Sequence, residues 1–234
     1  MFGSGKLRLR PRPGRPYPTP HTQYPSLTAI LLGLLLGMRH ALDADHVVAV
    51  TTIVSREQSA WRAARVGVLW GIGHTITIFL VGGSIIAFRL VIPPRVGLAF
   101  EFAVALMLIA LGAFSLWRAR ETATRFTMPP ILIGLVHGLA GSAAIALLVL
   151  AAIPGVAAGL TYLAVFGFGT IAGMMFITAA ISASALAATR RLGALRRYVM
   201  AGAGALSLVF GLQLSYQIGI VNGLFTSAPH WVPR

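Results

Sequence analysis

Apolar residues run through this sequence in six long stretches, separated by short polar or proline-bearing connections. A helix needs about 20 residues, at a rise of about 1.5 Å each, to cross the hydrocarbon core of a bilayer. The stretches are approximately Leu27 to Val54, Val66 to Ile92, Leu98 to Trp117, Pro129 to Ile153, Leu160 to Ala187, and Tyr198 to Gly219. The pattern predicts six transmembrane helices and leaves no room for a second soluble domain.

Residues of the first half recur at a nearly constant distance in the second half. The matched pairs, 96 or 97 residues apart, are Gly37 and Gly134, His40 and His137, Gly71 and Gly167, and Gly73 and Gly169. Each glycine alone is explained equally well as a helix-packing residue. Because each unit holds three spans, the second copy must insert upside down. The prediction is an all-α integral membrane protein, with six transmembrane helices as two inverted three-helix repeats, about 27–118 and 129–219.

The amino-acid composition supports a membrane protein and excludes a water-soluble domain. The chain is 57% hydrophobic with five acidic residues, and its mean hydropathy is +0.83, values that exclude a water-soluble domain. It has no cysteine, so any metal site must use nitrogen and oxygen ligands. The net charge of +14 lies at the ends of the spans, which predicts the lipid bilayer as partner and no nucleic acid. The sequence fixes no oligomeric state.

The two ends of the chain differ from the apolar core at residues 26–221. Residues 1–25 hold five basic residues among six prolines, which predicts a disordered basic tail and not an ordinary cleavable signal peptide. Residues 222–234 are predicted to form a short tail, in which His230 and Trp231 anchor the chain at the membrane–water interface.

One part of the first span carries charge where a membrane helix should be apolar. Its ionisable residues are Arg39, His40, Asp43, Asp45 and His46. Charged groups at bilayer depth are costly, and those that occur usually line a polar pathway and pair with one another or with an ion. Imidazole and carboxylate together favour first-row dications such as nickel, cobalt, zinc or copper over calcium and magnesium. The stretch therefore predicts a metal pathway.

The spacing leaves two geometries open. On a regular helix His40, Asp43 and His46 form one stripe about 120° wide, with Asp45 on another face. For His40, Asp45 and His46 to bind one ion, the helix must unwind locally; otherwise Asp45 orients an imidazole by accepting a hydrogen bond from its N–H. Arg39 lies four residues before Asp43 and is a candidate ion-pair partner for it, in charge compensation or gating.

Two imidazoles from one span are too few to hold an ion, and His74 and His137 on separate spans are the natural additional ligands. For each of them the alternative is a buried histidine satisfied by hydrogen bonds. The predicted metal residues are His40, Asp43, Asp45, His46, His74 and His137, with Arg39 in gating or charge pairing.

Two motifs resemble a known family. The stretch from Arg39 to His46, in which His40, Asp45 and His46 spell H-x4-D-H, is similar to the signature of the nickel/cobalt transporter family. The stretch Trp70-Gly-Ile-Gly-His-Thr looks like that family's next motif, a Gly-His pair early in the following span.

A third motif departs from the larger, eight-span members, which carry an acidic sequence there. This chain has His137-Gly-Leu-Ala-Gly-Ser instead, which looks more like the shorter, six-span branch associated with nickel supply to urease. The resemblance covers roughly Leu27 to Gln217. It implies a permease that carries Ni²⁺ or Co²⁺ into the cell, without a bound cofactor.

The sequence is also compatible with other functions. No G-x-x-x-x-G-K-[ST] motif for ATP occurs, so transport would be secondary or driven by the membrane potential. The alternatives are a transporter of another substrate, a metal exporter, or an intramembrane metal-dependent enzyme. An enzyme is not predicted, because neither H-E-x-x-H nor G-x-S-x-G occurs. The choice among nickel, cobalt and zinc stays open at this point.

Basic residues concentrate in alternate loops. Those after spans one, three and five are Arg56, Arg62, Arg65, Arg118, Arg120, Arg125, Arg190, Arg191, Arg196 and Arg197. The other two loops hold Arg95, with Arg89 just inside the membrane end. The positive-inside rule then predicts a multi-pass protein of the cell membrane with both termini outside, although the basic N-terminal tail argues the other way.

Overall fold

The computed structural model describes residues 27–118, 129–191 and 195–231, apart from residues 56, 58 and 154. All regular structure in this part of the chain is helical. The α-helices are α1 (Leu27–His40), α2 (Ala44–Val54), α3 (Ala60–Thr77), α4 (Gly83–Phe88), α5 (Pro94–Arg118), α6 (Pro130–Ala152), α7 (Val156–Arg191) and α8 (Leu195–Tyr216). A π-helical turn, Ile78–Gly82, joins α3 to α4, and another, Gln217–Val221, extends α8. The predicted tail of residues 1–25 lies outside the described residues.

Four helical stretches among the described residues have the length and apolar composition needed to cross a membrane. They are Ala60–Phe88, Pro94–Trp117, Val156–Ala188 and Arg197–Val221. Shorter apolar helical stretches cover Ile30–His40, Ala44–Val54 and Pro130–Ala140. Large apolar side chains such as Phe168 and Phe176 are exposed, whereas Thr52, Thr170 and Ser207 are buried. This distribution suits a lipid environment, because soluble proteins rarely expose extended apolar surface. The described part of the chain is that of a helical membrane protein.

The first predicted span consists of two helices, with a break at residues 41–43. The Leu42 N–H donates to the Arg39 carbonyl at 2.8 Å, and the Asp43 N–H donates to the His40 carbonyl at 3.0 Å. Asp43 then has an extended backbone (φ −61°, ψ 148°), from which α2 begins. The regular-helix stripe of His40, Asp43 and His46 is therefore not formed. Of the two geometries, the chain adopts the locally unwound one.

The break is fixed by packing against α7. Ala41 is fully buried in the turn and lies directly on Gly173 of α7, where an added Cβ would come within 2.8 Å of the Ala41 Cβ. A side chain at residue 173 would push the turn away, so the glycine makes room for the bend. Helix α1 itself packs along α7.

Two glycines bring α1 and α7 into backbone contact. A Cβ added at Gly37 would overlap the carbonyl oxygen of Phe166, and one added at Gly169 would overlap that of Leu34. Small residues at a crossing let membrane helices approach closely and gain van der Waals contact. The two helices therefore cross with no side chain between them at this point.

The crossing of α3 and α6 has the same construction. A Cβ added at Gly134 would overlap the carbonyl oxygen of Trp70, and one added at Gly73 would overlap that of Ile131. Each glycine and each carbonyl here is separated from its counterpart in the α1–α7 crossing by 96 or 97 positions. The two crossings thus place matching residues of the two halves in matching contacts.

Helices α5 and α8 form a third close pair. A Cβ added at Gly112 would lie 2.7 Å from the Gly204 carbonyl oxygen, and one added at Gly211 would lie 2.9 Å from that of Ala105. These glycines and carbonyls correspond at an offset of 99 positions. Helix α2 and its buried aliphatic side chains pack between this pair and α7.

Candidate metal site

Four histidines from four helices lie together next to the break in the first span. His40 ends α1, His46 is in the first turn of α2, His74 is in α3 and His137 is in α6. The His46 ring centroid lies 4.1 Å from that of His137, 4.6 Å from that of His40 and 5.1 Å from that of His74. His46 is therefore the centre of the cluster, in contact with each of the other three rings.

The α3–α6 crossing positions two of these rings. A Cβ added at Gly138, next to His137, would lie 2.6 Å from the His74 carbonyl oxygen, so the two helices are also in close contact where their histidines lie. Trp70, one turn before His74, is fully buried and lies nearly parallel to the His46 ring, at 8° and a centroid distance of 6.1 Å. The packing that holds α3 on α6 thus also fixes the walls of the cluster.

Asp45 orients two of the imidazoles. Its Oδ1 accepts hydrogen bonds from the His46 backbone N–H at 2.9 Å and from His46 Nδ1 at 3.0 Å, and its Oδ2 accepts from His137 Nε2 at 3.1 Å. An ionised carboxylate can only accept, so the nitrogen that faces it carries the proton. The opposite nitrogens, His46 Nε2 and His137 Nδ1, are then left as lone-pair donors.

His40 is held in the same way by Asp43. His40 Nδ1 lies 2.7 Å from Asp43 Oδ2, and its Nε2 lies 3.2 Å from His74 Nε2. With metal–imidazole bonds of about 2.0–2.1 Å, two nitrogens at this separation can bind one first-row ion as neighbouring ligands. Within the described part of the chain, Asp43 pairs with His40 and not with Arg39, which is exposed at the end of α1.

The residues form two overlapping sets of three ligands. One set is His40, His46 and His74, the other is Asp45, His46 and His137, and the ligand atoms in each set lie within 4.8 Å of one another. Five of the six predicted metal residues belong to these sets, and Asp43 is attached to them through His40. Their role as ligands remains a prediction.

The cluster contains buried nitrogens that have no protein partner. His46 Nε2, His74 Nδ1 and His137 Nδ1 make no hydrogen bond, and these three side chains are at most 1% exposed. A buried polar atom without a partner is costly and uncommon in folded proteins. These buried histidines are therefore not fully satisfied by hydrogen bonds within the described part of the chain. A bound cation would give His46 Nε2 a partner.

A cavity of about 420 Å³ lies beside the cluster. The residues that line it are His40, Asp43, Ala44, Asp45, His46, Glu101, Val104, His137, Ala140, Phe210 and Leu214. No lysine or arginine is among these described lining residues, although the chain has 19 such residues. Glu101 was not in the predicted site. The signal that could have placed it there is its position in an apolar span, since an intramembrane carboxylate is by default a functional candidate.

Replacing Asp45 with asparagine is expected to weaken the binding of a first-row dication to the purified protein by about 10- to 100-fold. The amide keeps the size of the side chain but loses the charge, and it no longer forces His46 and His137 to present their lone pairs to the site. Titration calorimetry with Ni²⁺ measures the change. Unaltered affinity would mean that Asp45 does not orient the imidazoles.

Comparison with known proteins gives one informative relative. The urease accessory protein UreH of Bacillus sp. (strain TB-90) is 34% identical over 218 residues, which cover 85% of this chain and 95% of that protein. No family model and no solved structure matches the chain. Because the identity extends over nearly the whole of both chains, the protein belongs to the family of the urease accessory protein UreH.

Proposed function

We propose that the protein is a secondary transporter, a permease that moves a divalent transition-metal ion, Ni²⁺ or Co²⁺, into the cell. The observation that carries the proposal is the His/Asp cluster next to the broken first span, with its buried, unpartnered imidazole nitrogens. Ionisable groups in a membrane segment usually mark an ion or substrate path. Nitrogen and oxygen donors without thiolate suit nickel and cobalt.

Nickel is the first substrate to test. The relative is named a urease accessory protein. The motif at residues 39–46 resembles the nickel/cobalt transporter family, and the motif at residues 137–142 resembles its shorter branch associated with nickel supply to urease. Ligand type alone does not select nickel over cobalt, because raw affinities follow the Irving–Williams order. Cobalt and zinc therefore enter the experiment as competitors.

The proposed architecture is six spans in two inverted three-helix repeats, with α1 and α2 together forming the first span. It is supported by the matched glycine–carbonyl contacts, in which the α1–α7 crossing corresponds to the α6–α3 crossing. In inverted repeats the substrate site lies near mid-membrane where the two copies meet. Here the histidines come from both halves of the chain.

The proposed orientation puts both termini outside and the arginine-rich loops in the cytoplasm of a multi-pass cell-membrane protein. In this arrangement a dication entering down an inside-negative potential gains about 4.6 kcal/mol per 100 mV, twice the value for one elementary charge. Uptake then needs no ATP-binding domain.

Cells that express the protein are expected to accumulate radiolabelled nickel, and cells with His40→Ala or His74→Ala at matched membrane levels are expected to lose most of that uptake. Each substitution removes one nitrogen of a pair of imidazole nitrogens that lie 3.2 Å apart. A fall in cell nickel in the wild type would identify an exporter instead. If the metal content never changes, the proposed function is wrong.

A further inference from the structure

Glu101 is a buried carboxyl group at membrane depth that belongs to neither set of three potential ligands. It lies seven residues into α5, about 10 Å along the helix at about 1.5 Å per residue, and its side chain is 6% exposed. A charged group in this position is costly and calls for a functional explanation. The residue is one of five acidic residues in the chain.

Trp231 holds this carboxylate in place. The indole Nε1–H donates to Glu101 Oε1 at 2.9 Å. Its ring lies directly on Gly97, one turn earlier in α5, where any Cβ would overlap it. Trp231 is therefore docked on the protein, and its predicted role as an interface anchor stays a prediction. A tryptophan in this setting has a packed ring and a satisfied N–H.

The segment that carries Trp231 is itself folded against the helices. The Leu224 N–H donates to the Ile218 carbonyl at 3.2 Å, and the His230 N–H donates to the Asn222 carbonyl at 2.8 Å. Phe225 packs edge-to-face on Phe102 of α5, with ring centroids 5.2 Å apart. Residues 222–231 thus form an ordered support for the N-terminal part of α5.

The held carboxylate lines the same cavity as the histidine cluster. Three of the five acidic residues of the chain, Asp43, Asp45 and Glu101, line this cavity, and among its described lining residues there is no lysine or arginine. The cavity also contains His46, whose buried Nε2 has no partner. A cavity lined by three carboxyl groups and a histidine is suited to a cation, in a chain whose net charge is otherwise strongly positive.

We propose that Glu101, positioned by the Trp231 indole, is an additional docking ligand for a divalent first-row cation on its way to the histidines. The inference rests on the proposed function and adds a specific residue to the ion path. In the proposed orientation, the start of α5 and the C-terminal segment lie on the outer side. Glu101 is then the carboxylate that an ion meets before the cluster.

The test is the concentration dependence of nickel uptake by Glu101→Gln in the full-length protein. Glutamine keeps the size of the side chain, and its oxygen can still accept the Trp231 N–H, so a purely structural role survives the change. We expect the half-saturating nickel concentration to rise by about tenfold, the scale for losing a metal-site partner, with little change in maximal rate. Trp231→Phe, which keeps the ring on Gly97 but loses the N–H, is expected to cause a smaller rise.

Two matched controls separate this effect from a general one. Glu57→Gln removes a carboxylate that pairs with Arg62 at 3.8 Å outside the cavity, and Trp61→Phe alters a tryptophan that is 69% exposed. Both are expected to match wild type. If Glu101→Gln also matches wild type while His46→Ala is inactive, the inference is wrong and the transport function stands.

A direct binding measurement keeps the inference testable if uptake itself fails. If the wild type takes up no nickel, the proposed function is wrong, and calorimetry of the purified full-length protein with Ni²⁺ decides about Glu101. Weaker binding in Glu101→Gln, with binding kept in Glu101→Asp, would support a cation site at this residue. Equal binding in wild type and Glu101→Gln would overturn it.

Discussion

Replacing His46 with alanine is expected to reduce nickel uptake to the level of cells without the protein. His46 is the residue shared by both sets of three potential ligands, and its ring touches the other three imidazoles. Its loss removes a nitrogen from each set and leaves Asp45 without one of its two imidazole donors. The loss of activity should exceed the roughly 10- to 100-fold loss that typically follows removal of a group hydrogen-bonded to a metal ligand.

Initial uptake rates at matched membrane levels measure this effect. His230→Ala is the control, because the His230 side chain is exposed and is not in either ligand set. Gel filtration in detergent shows whether His46→Ala is still folded. A folded His46→Ala protein that transports nickel at the wild-type rate would exclude the cluster from the ion path.

Among the variants described, Gly134→Ala is expected to cause the largest loss of folded protein. The added methyl group would overlap the Trp70 carbonyl oxygen, and a backbone atom cannot move aside as a flexible side chain can. Overpacking typically costs about 1–3 kcal/mol, and more where backbone must shift. A lower yield of monodisperse protein and a lower melting temperature in detergent are the expected readouts.

Gly202→Ala is the matched control for this experiment. Gly202 lies in α8, and an added Cβ there would meet nothing within 4 Å. This variant should melt at or slightly above the wild-type temperature, because alanine has the higher helix propensity. If both variants behave alike, the α3–α6 crossing is not the close contact described above.

Much of the site could be anticipated from residue types alone. Placing histidine and aspartate in an apolar span costs so much free energy that several of them together indicate a shared functional site. On that ground His74 and His137 were assigned to the same site as His40 and His46, and the four rings do lie together. The helical class follows from the apolar runs, of which four are matched by long apolar helices in the described residues.

The details that were not predicted depend on contacts between distant parts of the chain. The break at residues 41–43 follows from the fit of Ala41 against Gly173 of α7, and a local pattern carries no information about that contact. Asp45 accepts a hydrogen bond from His137 as well as from His46 because the fold brings His137 next to it. The sequence suggested Asp45 either as an ion ligand or as an orienting group and could not show this contact.

The contacts of Trp231 within the protein were not predicted, for a similar reason. A tryptophan near a chain end, outside the last span, has the usual signature of a residue at the membrane surface. Its actual partners, Gly97 and Glu101, are about 130 positions away. Only the folded chain brings the indole to the one acidic residue of α5.

The backbone crossings also restrict which genetic changes can compensate for one another. At Gly37, Gly73, Gly134 and Gly169 the neighbour is a main-chain carbonyl, which every amino acid carries. A larger residue at one of these positions therefore cannot be rescued by a smaller one opposite it. Selection for second-site revertants of Gly134→Ala should return glycine at residue 134, or changes that shift a whole helix, and not replacements of Trp70.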